Sequence, residues 1–402
     1  MKNVLWISKS VPYDNVPHAG GKTHNYYVKK IAANDEINIT LISMAKRREE
    51  GKLDLDRYKI NNLVSFYPDK GIKWLFWRLL DCESVFNPLN RNGTLTRNYE
   101  EYAILSLVKE YLSLGNKPDV VILEWTQIIL LIDKLKKYFP KIPFIGIEVD
   151  VAYLGFKRKF EDASGVIRKK IRKLLYLQLK KKELSAVSKL DVVAVNNYKD
   201  LNLLKTDGVT KQTIVLTPYY DNYSYISRNA TGNYIIFFGA MNREENWKSA
   251  LWFYSNVMPK LDDLPIGFMI VGGNPVKELM EINKGKTKVL GYVENVDTLF
   301  SEALCMVCPL LLGAGVKVKV IEGMSSGMPV LANEIAIEGI KAENNKDYIL
   351  CRTSDDYAEA IRKIFLDKQF GDFIGKNGKD FIEKNFNTAK DVDMLLDLIS
   401  KI

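Results

Sequence analysis

Short runs of β-branched and aromatic residues alternate along the first half of the chain with longer stretches in which apolar residues recur every three or four positions. A short, continuously apolar run suits a strand buried on both faces, whereas the wider spacing draws one apolar stripe along a helix. The pattern predicts strands at 4–8, 37–42, 120–123, 144–148, 192–195 and 213–216, with a helix over 21–34. Between 217 and 233 the periodicity dissolves among Pro, Gly, Asn and Ser, which predicts an interdomain linker. It resumes with strands at 234–238, 267–271, 288–290, 304–308 and 329–332 and helices over 246–257 and 317–326, then closes with three helices near 357–367, 371–385 and 389–402. Strands separated by helices imply parallel sheets. The expectation is an α/β chain of two Rossmann-like doubly wound domains, 1–216 and 234–384, facing a cleft, with residues 385–402 packing back on the first domain.

Composition changes this picture little. A chain of 402 residues exceeds one ordinary core, and 47% apolar with 27% charged residues is a globular balance. The apolar runs are shorter than a bilayer span. Met1-Lys2-Asn3 leads straight into the first strand, so a cytoplasmic location is expected. Cys305-Met-Val-Cys308 lies in an apolar strand-like run without a second ligand pair, which favours buried thiols over a metal or redox site.

Charge adds more. The net +9 is concentrated in the segment 156–182, whose cations from Lys157 to Lys182 face only Glu161 and Asp162. Ile167, Ile171, Leu174 and Leu175 recur at helical spacing there, so the expected helix buries this stripe and turns its cations outward. Such a face is either simply solvated or meets an anionic membrane or a pyrophosphate-linked acceptor on the cytoplasmic side. Nucleic acid is set aside, because no recognition motif accompanies the charge. The run Trp74-Leu-Phe-Trp77-Arg78 reads as a helix capping a core, or as an interfacial one.

Candidate chemistry sits at two glycine turns. Gly20 and Gly21 follow the first strand and open a helix, where backbone amides can approach a phosphate or a sugar. His24 lies just beyond, suited to touch phosphate or to sit exposed in the first turn. In the second half, the strand ending at Pro309 runs through Gly313 and Gly315 into a helix that carries Lys317, Lys319 and Glu322. Lys319 and Glu322 are three apart and share a face. Amides after Gly315 and a lysine suit a diphosphate, and a carboxylate suits ribose hydroxyls; the plain alternative is a surface Lys–Glu pair. Asp150, just past a strand end, either orients a hydroxyl or caps the next helix. Neither half carries GxGxxG after its first strand or a Walker A motif.

Phe238-Gly239-Ala-Met241 with Asn246, Val271-Gly272-Gly273, Gly291-Tyr-Val293, the stretch 309–330 and Glu338-Gly339-Ile340 follow in an order that resembles the donor-binding domain of retaining GT-B glycosyltransferases of family 4. The likeness covers most of 234–345; Gly20-Gly21 and Pro118-Asp119-Val120-Val121 extend it more loosely to the first half. It implies a nucleoside-diphosphate sugar as substrate, no further cofactor, no metal, and transfer with retention to a glycan or lipid-linked glycan in cell-surface polysaccharide synthesis. It places Glu322 on ribose and Lys319 and Asn246 near the diphosphate; Asp150, taken from its own position past a strand end, joins Glu322 in the expected catalytic set. Ala314 stands where the family has its first Glu, and Glu148-Val149-Asp150 where it often has His-Asp or His-Asn. These departures keep two other readings open: a catalytically inactive glycosyltransferase-like partner subunit, and a nucleotide-sugar epimerase on the same fold.

Overall fold

The computed structural model describes residues 1–14, 16, 18–67, 71–91, 93–313 and 315–402. The chain divides into two compact units, one of Met1–Tyr219 with Thr388–Ile402, the other of Tyr220–Asn387.

The first unit is built on a parallel sheet of β1 (Lys2–Ser8), β2 (Ile37–Lys46), β3 (Asn61–Tyr67), β4 (Val120–Glu124), β5 (Phe144–Glu148), β6 (Val192–Val195) and β7 (Gln212–Val215), in the order β3-β2-β1-β4-β5-β6-β7. β4 through β6 are buried at every position, which is why they read as unbroken apolar runs. β3 was not predicted, since Asn61-Asn62-Leu63-Val64-Ser65-Phe66-Tyr67 is an edge strand with no fully buried residue. The sheet reverses direction of growth between β1 and β4, so the C-terminal ends of these neighbours open a crevice. The last helix, Thr388–Lys401, packs Val392, Leu395, Leu398 and Ile399 into the core that holds Val4, Trp6, Tyr27 and Ile31.

The second unit repeats the plan with β8 (Tyr234–Phe238), β9 (Gly267–Val271), β10 (Thr287–Gly291), β11 (Cys305–Cys308), β12 (Val330–Ala332) and β13 (Ile349–Leu350), ordered β10-β9-β8-β11-β12-β13. Here the crevice opens between β8 and β11. Residues 220–233, expected as linker, pack within this unit: the Arg228 guanidinium donates to the carbonyls of Phe300, Ser301 and Ala303. Cys305 and Cys308 are buried in β11, and burial pushes both thiols up, to about 12 and about 11, as core thiols require.

The basic helix corrects one expectation. Val166–Val187 forms, yet Ile167, Ile171 and Leu174 are 77%, 50% and 67% exposed. The face that packs is the neighbouring one: Tyr176 stacks on Phe160 of the helix Ala152–Glu161, while Leu179, Glu183, Ala186 and Val187 are buried. Of the predicted stripe only Leu175 packs on the core, and Ile167, Ile171 and Leu174 lie in solvent beside exposed Lys169, Lys170 and Lys173. Among the described residues no helix is long and apolar enough to cross a membrane.

Candidate functional site

In the second unit the site grows from the crevice between β8 and β11. β8 is followed directly by Gly239 and β9 by Gly272, both with strongly positive φ. A Cβ on Gly272 would lie 1.7 Å from the Gly239 carbonyl oxygen, so only glycine lets these two strand ends run this close. The turn after Gly239 is held by Asn246 in the first turns of the helix Glu244–Asn256, whose Nδ2 donates to the Ala240 carbonyl at 2.8 Å. Its Oδ1 accepts from Lys319 Nζ at 2.6 Å. The lysine reaches the same place from the helix Val318–Ser325, with its ammonium 4.6 Å from the centre of the Phe237 ring. Desolvation pushes the Lys319 ammonium down to about 8, only partly offset by the Cys308 and Glu245 side chains, while Arg243 and Lys317 add to the fall.

The glycine loop after β11 is clamped on both sides. Ser249 Oγ accepts from the Leu311 amide at 3.1 Å, and Asn333 Nδ2 donates to the Leu310 carbonyl at 2.8 Å. Beyond the clamp Leu311 and Leu312 are exposed. Gly313 and Gly315 both have positive φ, and a Cβ on Gly313 would come within 2.9 Å of Lys317 Cε. The Lys317 ammonium lies across the loop, donating to the Gly315 carbonyl and standing 3.8 Å from the Glu338 carboxylate, both side chains about nine-tenths buried. Ala314 lies outside the described residues.

Glu322 sits one turn further along the helix and is 7% exposed. It accepts from the Asp221 amide at 3.4 Å, while the Tyr223 amide donates to Ser325 Oγ at 3.2 Å, so the chain at 221–223 follows this helix. Burial and the Glu322 charge raise the Tyr223 phenol well above its usual range. Lys319 and Glu322 thus make separate contacts, with Asn246 and with Asp221, rather than the surface pair that their spacing also allowed.

The first unit has its own crevice, between β1 and β4. The helix Ala19–Ala32 begins there, and His18 Nδ1 accepts from the Gly21 amide at 2.9 Å, which makes His18 its cap. Gly20 faces Trp125, itself in a left-handed conformation with φ 71. His24 is not in an exposed first turn: it is fully buried, with Nδ1 against the Glu124 carboxylate and its ring 5.1 Å from that of Trp125. Glu124 also accepts from Trp6 Nε1 at 2.8 Å.

Asp150 is exposed, and its carbonyl accepts from Thr126 Oγ1 at 3.3 Å. The cap residue of the helix Ala152–Glu161 is Val151, and Glu183 reaches over to accept from the amides of Ala152 and Tyr153 at 2.7 and 2.9 Å. Sequence reasoning missed Glu183, which comes from a different helix. It also left Glu148 aside; this fully buried carboxyl is pushed well up by desolvation, then by the Glu183 charge. Burial also pushes Glu183 up, to about 7, against the pull of the two amides it accepts from, so Glu183 takes up the charge of the pair near neutrality while Glu148 keeps its proton. Glu338, Ser249 and Asn333 were likewise absent from the expected site; only Glu338 carried a signal, through its place in the ordered motif set.

Residues 232–367, the second unit but for its two ends, match the family model for glycosyl transferases group 1. No curated protein matches the chain by sequence. Solved structures match over the whole length: sucrose-phosphate synthase from Thermosynechococcus elongatus has a TM-score of 0.70 at 14% identity, covering 100% of this chain and 99% of that one. HepE from Anabaena in complex with UDP has a TM-score of 0.67 at 13% identity, covering 100% of both chains. A variant of TarM from S. aureus, in complex with Fondaparinux, alpha-GlcNAc-glycerol and UDP, has a TM-score of 0.64 at 13% identity, covering 99% and 100%. The fold is GT-B, two Rossmann-like parallel-sheet domains.

Proposed function

We propose that this chain transfers a sugar, with retention and without a metal ion, from a nucleoside diphosphate to a glycan or lipid-linked glycan. The observation that carries the reading is the convergence, at the β8–β11 crevice of a group 1 glycosyltransferase domain, of Lys319 on Asn246 and of the clamped loop 309–317 on the start of the helix Val318–Ser325. In this reading Lys319, Lys317 and the amides after Gly315 balance the diphosphate as the bond from its oxygen to the anomeric carbon breaks. Glu322 accepts from the ribose hydroxyls, a role that its charge and its seclusion from water strengthen. Asp150 orients the acceptor hydroxyl, whose oxygen forms the new bond to the anomeric carbon as its proton passes to the departing diphosphate oxygen. Gly20, half-buried beside Trp125, belongs to the donor set, whereas the expected part of Gly21 falls away because its amide already donates to His18 and its missing side chain leaves room for Val16 and His18.

The solved neighbours in complex with UDP direct the test toward uridine diphosphate. The exposed cations of 166–177, interleaved with exposed Val166, Ile167, Ile171, Leu174 and Leu177, support peripheral contact with an anionic membrane and with it a lipid-linked acceptor. Calorimetry and thermal shift against UDP, GDP, dTDP and their sugars test the donor part. Saturable binding of one of them, weakened by Glu322→Gln, is expected; no binding of any nucleoside diphosphate would overturn the reading.

A further inference from the structure

The first unit holds a second concavity that the reading above does not use. Where β3 ends at Tyr67, the helix Ile72–Val85 and the start of the helix Asn98–Ser113 enclose a cavity of about 380 Å³. Its walls are aromatic: Trp77 lies 5.2 Å from Tyr99 and 6.1 Å from Tyr67, ring centre to ring centre, and Trp74 completes the lining. Its polar groups are Arg78, Asp81 and Arg97. The rings are fixed from behind, because Tyr67 donates to Glu100 Oε1 at 3.1 Å and Glu100 accepts from the Arg97 amide at 2.9 Å.

Trp74 is 38% exposed and Trp77 half-buried, so indole surface is open to a ligand without refolding. The Arg78 guanidinium already covers one side of Trp74, 4.8 Å from the ring centre. Asp81 is 8% exposed and stands 3.7 Å from Arg97.

These features select a ligand class. An aromatic face carries partial negative charge, which attracts C–H bonds or a cation. Two guanidiniums at the same cavity make a cationic ligand unfavourable. What remains is a ring with polarised C–H faces and a rim of hydroxyls, which Asp81 can accept from and the arginines can donate to. Aromatic walls with a few convergent polar groups, within the ordinary range of ligand-cavity volumes, are what such recognition needs. We propose that this cavity binds a pyranose ring of a neutral or acidic glycan, stacked on Trp74 and Trp77 and hydrogen-bonded by Asp81, Arg78 and Arg97. Resting on the glycosyltransferase reading, this makes the cavity a glycan-recognition site of the acceptor.

The test is an array of immobilised neutral, amino and uronate oligosaccharides probed with the full chain, alongside calorimetry with UDP on the same preparation. Retention of at least one neutral or uronate glycan is expected, with a loss of about tenfold or more in affinity in Trp74→Ala and Asp81→Asn and recovery in Trp74→Phe. Glu322→Gln should leave glycan retention unchanged. Circular dichroism melting of each variant separates lost binding from lost fold, and the partly exposed Trp74 makes its substitution the safe one. UDP binding without retention of any glycan, or retention unaltered by both Trp74→Ala and Asp81→Asn, would overturn the inference alone. Failure of UDP binding would instead fall on the donor reading.

Discussion

Lys319 Nζ donates to Asn246 Oδ1 at 2.6 Å, joining the helix that follows the glycine loop to the helix that follows β8. Two segments on either side of the β8–β11 crevice are thereby tied at one charged point. Because desolvation pushes this ammonium down to about 8, its charge is labile near neutrality.

The sign of the pH dependence follows. With Lys319 balancing the diphosphate as proposed, binding needs its protonated amine, so affinity for UDP should fall as pH rises above about 8. The group's effect on stability runs the other way: the unfolded chain holds this proton to about pH 10.4, so the Lys319 contribution to stability rises between about 8 and 10.4. Calorimetry at pH 7 and pH 9.5 should show the affinity loss in the wild type and a weaker, flatter profile in Lys319→Met. Equal pH dependence in both proteins would remove Lys319 from the diphosphate.

Glu322→Ala should cost about 1.5–3 kcal/mol of UDP affinity, the value of a hydrogen bond to a charged group, which is roughly a tenfold to hundredfold loss. Uridine and UDP should lose alike, because the carboxylate is assigned to ribose and not to phosphate. Calorimetry with both ligands checks this, and an effect confined to UDP would move Glu322 to the phosphates.

Transfer should persist in excess EDTA, since Lys317, Lys319 and helix amides are assigned the neutralisation of the diphosphate. Activity abolished by chelator and restored by Mn²⁺ or Mg²⁺ would refute that assignment.

Binding to anionic vesicles should weaken steeply with salt, because exposed charges are screened within about 10 Å at 0.1 M ionic strength. Lys169, Lys170 and Lys173 changed together to Glu should reduce it, as should Ile167→Asp, which removes exposed apolar surface without touching the packed face of Leu179 and Ala186. Co-sedimentation measures both. Vesicle binding equal to wild type in both variants would make this helix a solvated face.

Glu148→Gln should leave stability little changed at acid pH, where the carboxyl is protonated in both the folded and the unfolded chain, and should raise it above wild type near neutral pH. It should also flatten the decline expected above about pH 4.5, where the unfolded chain releases a proton that the folded pair keeps. Glu183→Gln should cost more, because it leaves one carbonyl oxygen where two carboxylate oxygens accept from the Ala152 and Tyr153 amides. Urea unfolding from pH 5 to 8 compares the two.

Element type was readable wherever local pattern and burial agree. β5 and β8 begin and end at the expected residues, because their apolar runs are bounded by polar or turn residues and buried in the sheet. Partnership was not readable. The period that made 166–187 a helix says nothing about which side meets another element, and packing by Phe160 and Tyr153 chose the face beside the one the apolar count favoured. Lys317 and Glu338 stand apart in sequence and meet only because β12 returns the chain beside the loop, so no spacing rule could join them. His24 was mislaid for a related reason: helix position alone does not reveal that Glu124 and Trp6 close over it.

The return of Thr388–Lys401 to the first unit has a consequence for biosynthesis. Val392, Leu395 and Ile399 are made after the whole of the second unit, yet they fill the same core as Val4 and Trp6, made before it. The second unit, uninterrupted from Tyr220 to Asn387, has all its own strands once the ribosome passes that point. During synthesis the first unit must wait, partly uncovered along the helix Ala19–Ala32, for the segment Thr388–Lys401, so the order of completion inverts the order of translation.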